Sequence, residues 1–517
     1  MFFLQKRPHF SFSNSIYDIG LFLLWLVAVL WISTYHEFWR DEVRALSIAT
    51  SAEGLGELPA LLVNEGHPSL WYVILHISQL LLGSPIALKV SALLVAAISI
   101  LIFLFFSPYR TWQKALFIFG YLPFYEYAVF ARNYGISMLF MFAFTAIYSS
   151  VKYRPVLLSI ILFLLANTNI HSLIIVMLFC AIWIYEKKQI IFRLDNIKMT
   201  IWHVIALLII SIGVIFCIST TVPEATSLVT KEISFQLEVR DFVHKVFSAM
   251  VYPGEPFSSL FRDPLLKALI PFLLITSLMP SPHRALSLYL GFIAFSLFFL
   301  VIYPGSIRHQ GILYCFILCL LWMHQKEAEN KYFRSERLKS FLFKLQYWTL
   351  NLLLIVQLYA GSKHVLKDVN TPLSSSKDFS EFVMSIPTYK NALIVGEPDF
   401  LLESLHYYLP NSIYLLRETK FKRYVSFTTE AKRNYSMHEL LADVENLSAD
   451  KNVPILVLIS TEIFESKKKI HEHSYGKIFR WNDDSIDLLH SKMKKVAEFN
   501  KSTTENFIVF EWTPNTQ

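Results

Sequence analysis

Gly20-Leu21-Phe22-Leu23-Leu24-Trp25-Leu26-Val27-Ala28-Val29-Leu30-Trp31-Ile32-Ser33-Thr34-Tyr35 forms the body of an apolar run that begins near Tyr17. His36-Glu37-Phe38-Trp39-Arg40-Asp41-Glu42 follows it without a spacer. As a helix, a run of this length crosses a bilayer, because ~20 residues rising ~1.5 Å each match the ~30 Å hydrocarbon layer. It is too long for a signal-peptide core and lacks a small-residue cleavage site, so it is expected to be retained. Lys6 and Arg7 precede it. Basic residues favour the cytoplasmic side, which predicts a cytoplasmic N-terminus and places residues from 36 onward on the outer face.

Similar runs recur at about 85–106, 114–130, 134–151, 155–168, 170–185, 200–219, 266–279, 284–303, 308–324 and 346–360. Of 517 residues, 54% are hydrophobic and 17% charged, and the mean hydropathy is +0.44. Soluble domains carry roughly 25% charged residues, so the chain reads as an α-helical polytopic membrane protein of about 11–12 spans. A soluble enzyme, a disulfide scaffold, a disordered chain and a fibrous repeat are excluded. The net charge of +7 fits basic cytoplasmic loops and calls for no nucleic-acid partner. Cys180, Cys217, Cys315 and Cys319 all lie in apolar segments and read as small buried hydrophobes.

The threading rests on the basic residues. Arg110 with Lys114, Lys152 with Arg154, Lys187, Lys188 and Arg193, Arg284, and the run from Lys326 to Lys344 fall in every second loop. This alternation holds only if the apolar stretch 68–82 dips into the membrane without crossing. Loops 36–84, 131–133, 220–265 and 304–307 then lie outside. So does everything after Gly361, where charge becomes frequent and the apolar runs Ala392–Val395, Ile413–Leu416, Ile455–Ile459 and Phe507–Phe510 are bounded by turn residues. This predicts a membrane domain over 1–360 and a C-terminal soluble α/β domain over 361–517. Val395-Gly396-Glu397-Pro398-Asp399 reads as a strand-to-helix turn, since one glycine makes no phosphate loop.

The polar residues embedded in the outer-face loops carry the chemistry. Val43, Leu46 and Ala49 recur at helical spacing, which predicts an amphipathic surface helix with Asp41 and Glu42 at its start. A cap and a dipole partner would account for both carboxylates. Ionisable groups near lipid nevertheless tend to mark a site. His67 stands between Gly66 and Pro68, which close one helix and open the next. The same threading brings Glu126, Arg132, Tyr134, Asn167, Asn169, His171, Arg308 and His309 to one depth. Singly, the arginines would be snorkelling side chains, and the asparagines and His171 would satisfy a helix break. Together they propose a wet outward cavity. Paired carboxylates can deprotonate a hydroxyl or hold a divalent cation such as Mg or Mn. Arginines with histidines suit a phosphate.

Trp39-Arg40-Asp41-Glu42, His67-Pro68-Ser69-Leu70-Trp71-Tyr72, Tyr125-Glu126-Tyr127 and Ala131-Arg132-Asn133-Tyr134 occur in this order. They resemble the GT-C class of polyprenyl-phosphate-sugar glycosyltransferases, in the bacterial branch of protein mannosyltransferases and aminoarabinose transferases. Thr168 with His171, and Arg308-His309, are weaker echoes, and the resemblance covers about residues 17–325. It implies a GT-C-like bundle in the inner membrane that moves a sugar, with inversion, from a polyprenyl-phosphate donor to a hydroxyl of a glycan, lipid or protein. Asp41 would be the catalytic carboxylate and Glu42 its neighbour, as base or metal ligand. His67, Arg132 and Arg308, with Tyr134, His171 and His309, would hold the donor phosphate. Many members place a second acidic residue after the arginine of the second outer loop, where this chain has Asn133 and Tyr134.

Two alternatives remain open at this stage. A glycan polymerase or ligase would use Arg240, His244, Lys245 and Arg262 of the long loop. A lipid-sugar transporter or flippase would line a pathway with the same polar residues.

Overall fold

A computed structural model describes residues 12–150, 154–191, 197–222, 227, 239–326, 335–451, 453–465, 469–473 and 476–512. Lys6, Arg7, Lys152, Arg193, Lys331 and Arg334, which the threading uses, lie outside the described residues. The membrane part comprises α1 (Phe12–Tyr35), α2 (Arg40–Ser51), the single turn α3 (Leu58–Leu61), α4 (Leu70–Leu82), α5 (Ile86–Phe106), α6 (Thr111–Ile118), a π turn (Tyr121–Glu126) and α7 (Tyr134–Tyr148). It continues with α8 (Pro155–Ala166), α9 (Ile170–Ile191), α10 (Ile197–Thr221), α11 (Val239–Val251), α12 (Pro264–Ser277), α13 (Pro282–Val301), α14 (Ile307–Lys326) and α15 (Glu336–Asn370).

Six of these helices are long and apolar enough to cross a bilayer, over Ile16–Tyr35, Ile86–Phe106, Ile170–Gln189, Thr200–Thr221, Pro282–Val301 and Glu336–Asn370. On α1, Trp25, Val29 and Ile32 are buried while Leu23, Leu24 and Val27 are exposed, and on α10 Leu208, Ile212 and Ile215 are exposed. Such one-sided apolar faces belong in lipid, and the chain is an integral membrane protein. The helices α4, α7, α8 and α12 have only 13, 15, 12 and 14 residues. Short helices persist in a membrane where neighbouring protein covers their ends. At the centre lies α14, in which every side chain from Ile312 to Met323 is buried, as expected of a helix that is apolar all round.

Two expectations are corrected. The run 114–130 is not one span: α6 stops at Ile118, and a π turn and irregular backbone follow. Gly120 and Pro123 interrupt it, and α15 presses against the break. A Cβ on Gly361 would come within 2.9 Å of the Tyr121 nitrogen, and one on Gly120 within 3.0 Å of the Phe117 carbonyl. The boundary at 361 also moves, because α15 runs on to Asn370. The rise in charge marks where the helix leaves apolar surroundings rather than where it ends.

The C-terminal domain is the predicted α/β unit. It contains α16 (Ser376–Ser385), β1 (Leu393–Glu397), β2 (Tyr414–Leu415), β3 (Lys420–Phe421), β4 (Asn434–Ser436), α17 (Met437–Asp450), β5 (Ile455–Ser460), α18 (Thr461–Glu465), β6 (Ile470–His473), β7 (Lys477–Arg480), α19 (Asp483–Lys492), β8 (Met493–Phe499) and β9 (Phe507–Trp512). The main sheet has the order β1-β5-β9-β8, with β1 and β5 parallel. Leu393, Val395, Ile455, Val457, Ile459 and Phe510 face α17 and α19. Ile394, Leu456, Leu458, Phe507 and Val509 face α16. Burial on both faces explains why these strands read as continuous apolar runs. In the Val395–Asp399 turn, Glu397 pairs with Arg417 at 2.6 Å and Asp399 with Lys477 at 3.1 Å. These are internal ion pairs of the domain.

The α1–α2 junction, the segment 127–133, the start of α14 and the C-terminal domain meet at one end of the bundle. At the other end of α1, Asp18 pairs with Lys114 at 2.8 Å.

Candidate active site

The site is built on α2. Its buried face, Val43, Leu46 and Ala49, packs on Trp71, Tyr72 and Leu75 of α4, and this fixes which way the first turn points. Consecutive helical residues diverge by roughly 100°, so Asp41 and Glu42 cannot share one direction. Glu42 is 1% exposed. One of its oxygens accepts the Ala131 N–H at 2.6 Å, and the other accepts from Trp39 N–H at 3.3 Å and lies 3.0 Å from His36 Nε2. The helix-start role expected for Asp41 therefore falls to Glu42, three residues after the Trp39 cap.

Asp41 points the other way, with its side chain 38% exposed. Its Oδ2 pairs with Arg132 and stands 3.8 Å from Arg308 Nη1, while Oδ1 stands 3.8 Å from Arg40 Nε. Burial would raise its pKa, but the guanidiniums of Arg132, Arg40 and Arg308 outweigh burial and hold the carboxyl below its ordinary range. The arginines arrive on three elements and each has a second support. Arg308 lies 3.4 Å from Glu126 on the π turn and 5.4 Å from the Trp39 ring centroid. Arg132 lies 5.7 Å from the Tyr134 ring. Arg40 stacks 4.3 Å from the Phe400 ring. The π turn sets Glu126 against Tyr121, whose hydroxyl donates to it at 2.5 Å. Such turns inside helical runs gather at functional sites.

Behind the arginines, Tyr134 and His309 Nε2 are 2.9 Å apart, and His309 Nδ1 accepts the Ser306 N–H at 3.0 Å. With Nδ1 accepting, the ring proton of a neutral imidazole sits on Nε2. Tyr134 then accepts from His309, and its own hydroxyl hydrogen is available to a ligand. The His171 ring is tilted 34° against His309 at 4.9 Å and lies among Phe295, Phe298 and Phe299, with neither ring nitrogen hydrogen-bonded among the described residues. His67 lies in the turn before α4. Burial, and then the charge of Arg132, push its pKa down to about 4, so the imidazole is held neutral. Asn167 and Asn169 do satisfy the helix break: Asn167 donates to the Phe163 and Gly213 carbonyls, and Asn169 accepts the Ser172 N–H.

A divalent cation does not fit the Asp41–Glu42 pair. Three guanidiniums surround Asp41, and both Glu42 oxygens are turned away into hydrogen bonds. Among the described residues no group of three His, Cys, Asp or Glu side chains is arranged to hold a metal ion. Of the alternative set, Lys245 lies on α11, and His244 and Arg262 are exposed.

The sequence gives no hint of one wall of the site, which comes from the C-terminal domain. The Phe38 N–H donates to the Tyr408 hydroxyl at 2.7 Å, Ser47 and Tyr407 are 2.8 Å apart, and Arg44 reaches Glu65 at 2.6 Å and Glu403 at 2.7 Å. Glu505, fully buried, faces Arg40 at 3.7 Å. Burial, only partly opposed by Arg40, pushes its pKa up to about 7.

Comparison with models of protein families and with curated protein sequences returned no match. Among solved structures, the chain is similar to a crystal structure of ArnT from Cupriavidus metallidurans bound to undecaprenyl phosphate. The TM-score is 0.49 at 11% identity, over 98% of this chain and 99% of that one. ArnT from the same organism in the apo state gives 0.45 at 12% identity, over 95% of this chain and 98% of that one. The likeness is one of overall chain path.

Proposed function

We propose that the protein is a membrane glycosyltransferase that moves a sugar from a polyprenyl-phosphate donor to an acceptor hydroxyl of a glycan, lipid or protein at the outer face of the inner membrane. The observation that carries this reading is the convergence of Arg132, Arg308 and Arg40 on one partly exposed carboxylate, Asp41. Glu126 and Glu505 brace Arg308 and Arg40 from the buried side, but each guanidinium has five N–H donors, more than these carboxylates take up, so an anionic group can accept from them. The sequence motifs that resemble GT-C transferases point to the same residues.

In the proposed step Asp41 takes the proton of the acceptor hydroxyl, whose oxygen attacks the anomeric carbon from the face opposite the phosphate. The bond between that carbon and the phosphate oxygen breaks, the configuration inverts, and polyprenyl phosphate leaves with one more negative charge. Arg132 and Arg308 meet that charge as it develops, with Tyr134 as a further donor. His67 supplies a neutral hydrogen bond. No step requires a metal ion.

The test is Asp41→Asn in cells, with the variant's abundance in the membrane measured alongside. A positioned base is worth ~10²–10⁴-fold, so the envelope glycan made by the wild-type protein should vanish from mass spectra. An unchanged glycan would overturn the assignment.

A further inference from the structure

His36 joins α1 to α2 and is 2% exposed. Its Nδ1 lies 3.0 Å from Asp368 Oδ2 and its Nε2 lies 3.0 Å from Glu42 Oε2. Carboxylate oxygens accept hydrogen bonds, whereas a neutral imidazole has a single N–H. Two carboxylates on opposite edges of the ring are both satisfied when both nitrogens carry hydrogen. Burial opposes that charge, yet Glu42 and Asp368 raise the His36 pKa to about 9.

The other charged and titratable groups nearby are held elsewhere. From α5, the Lys89 ammonium bonds the Ser33 carbonyl at 2.9 Å and the His36 carbonyl at 2.5 Å. Glu37 faces Lys377 at 3.8 Å. The Tyr125 hydroxyl, from the π turn, faces Asp368. The Phe130 ring covers the imidazole at 4.5 Å.

The second oxygen of Glu42 holds the Ala131 N–H. Glu42 follows Asp41 in the chain and Ala131 precedes Arg132, so one buried carboxylate fixes the backbone on both sides of the Asp41–Arg132 pair. His36 in turn fixes that carboxylate. Asp368 lies near the end of α15, two residues before the chain enters the C-terminal domain. We propose that His36, held as an imidazolium between Glu42 and Asp368, is a positioning residue that sets the placement of Asp41 against Arg132 and ties it to the root of the C-terminal domain. Neither His36 nor Glu42 touches substrate in this arrangement. The role rests on the transferase reading above.

The test compares full-length wild type with His36→Gln and Asp368→Asn in detergent. Unfolding midpoints are measured from pH 6 to 10, and sugar transfer is measured with a polyprenyl-phosphate-sugar pool from the native membrane. Asp368→Asn keeps the shape and one acceptor oxygen, so it remains informative if His36→Gln does not fold. The wild-type midpoint should fall between the unfolded value of 6.5 and about 9; His36→Gln should lack that limb, and Asp368→Asn, in which Glu42 still faces the imidazole, should shorten it. Misplacement of reacting groups by ~1 Å costs ~10²-fold. Both variants should therefore lose roughly 10- to 100-fold in kcat with donor KM changed less than about threefold.

A wild-type midpoint that stays flat across that window overturns the imidazolium. Variants with wild-type kcat overturn the positioning role. If the wild type itself transfers no sugar, the transferase reading falls and the positioning role falls with it. In that case the unfolding limb still reports whether the imidazolium exists.

Discussion

Saturating the protein with its lipid donor should move the acidic limb of its pH–rate profile upward. In the free protein, Asp41 is ion-paired with Arg132 and flanked by Arg308 and Arg40, and it is a weak base because the guanidiniums hold its proton affinity down. A donor phosphodiester that engages Arg308 cancels one of those charges. Arg308 Nη1 lies 3.8 Å from Asp41. At that separation two unit charges interact by about 1 kcal/mol in water and about 4 kcal/mol at an effective dielectric of ~20. With the carboxylate 38% exposed, the lower part of that range applies, and at ~1.4 kcal/mol per pKa unit the rise is about 1–2 units. The profile of kcat/KM reports the free protein and that of kcat the complex. The acidic limb of kcat should therefore lie about 1–2 pH units above that of kcat/KM for the donor. Arg308→Met should raise the kcat/KM limb toward the kcat limb. Steady-state rates from pH 4 to 8 decide it: coincident limbs, or a kcat limb at lower pH, would refute the argument that the donor frees its own base.

Four further outcomes are expected. Asp41→Asn, though inactive, should bind a polyprenyl monophosphate several-fold more tightly than wild type, because the competing carboxylate is gone; titration at low and high salt checks this, and the gain should shrink with salt. Arg132→Lys should lower kcat by ~10²-fold, since a point charge replaces a planar fork; turnover at saturating donor measures it. Tyr408→Phe strips the acceptor from the half-buried Phe38 N–H and should cost about 1 kcal/mol, read as a lower unfolding midpoint. Glu505 has a folded pKa of about 7 against an ordinary 4.5. Its contribution to stability is whole below 4.5 and lost as the pH rises through about 7. Glu505→Gln should flatten the fall in unfolding midpoint between those values.

Much of this architecture is legible in the sequence because it follows from periodicity and solvation. The run ending at Tyr35 could only be a spanning helix, and the runs at 392–395, 455–459 and 507–510 coincide with β1, β5 and β9 to within a residue at the start, while 413–416 contains the two-residue β2. β8 was invisible: Met493-Lys494-Lys495-Val496-Ala497 does not alternate cleanly, and the ladder itself is shifted between Lys495 and Ala497. Arg132, Arg308, Tyr134 and His309, which lie close together beside Asp41, are conspicuous in the sequence because ionisable groups in apolar sequence are costly. The pairing of Asp41 with Glu42 misled for a geometric reason. Two acidic residues in a loop can converge on a cation, but on the first turn of a helix they diverge. Asp368, Glu403 and Glu505 carry no such signal because each is an ordinary charge in a polar segment. What makes them unusual is a partner outside that segment: Arg40 meets Glu505, Arg44 meets Glu403 and His36 meets Asp368, pairs more than three hundred residues apart, and such a distance leaves no local pattern.

That separation explains why the site needs the C-terminal domain. α2 has 12 residues, about the length at which an isolated helix is marginal in water, and its Asp41 is the point on which Arg40, Arg132 and Arg308 converge. Its apolar face is held by α4. Its polar side is held in the membrane domain by Arg132 and Arg308 on Asp41, the Ala131 N–H on Glu42 and Glu65 on Arg44, and in the C-terminal domain by Tyr407, Phe400 and Glu403. Guanidiniums crowded around one carboxylate repel one another, and the arrangement persists only because each is braced separately. Beyond its neighbours Trp39 and Asp41, Arg40 is braced across the domain boundary by Phe400 and Glu505. Glu126 and Glu505 hold Arg308 and Arg40 from the buried side, and Arg132 is held by Asp41. Of these three carboxylates only Asp41 is partly exposed, at 38%, so an incoming anionic group would meet the fixed guanidiniums beside it.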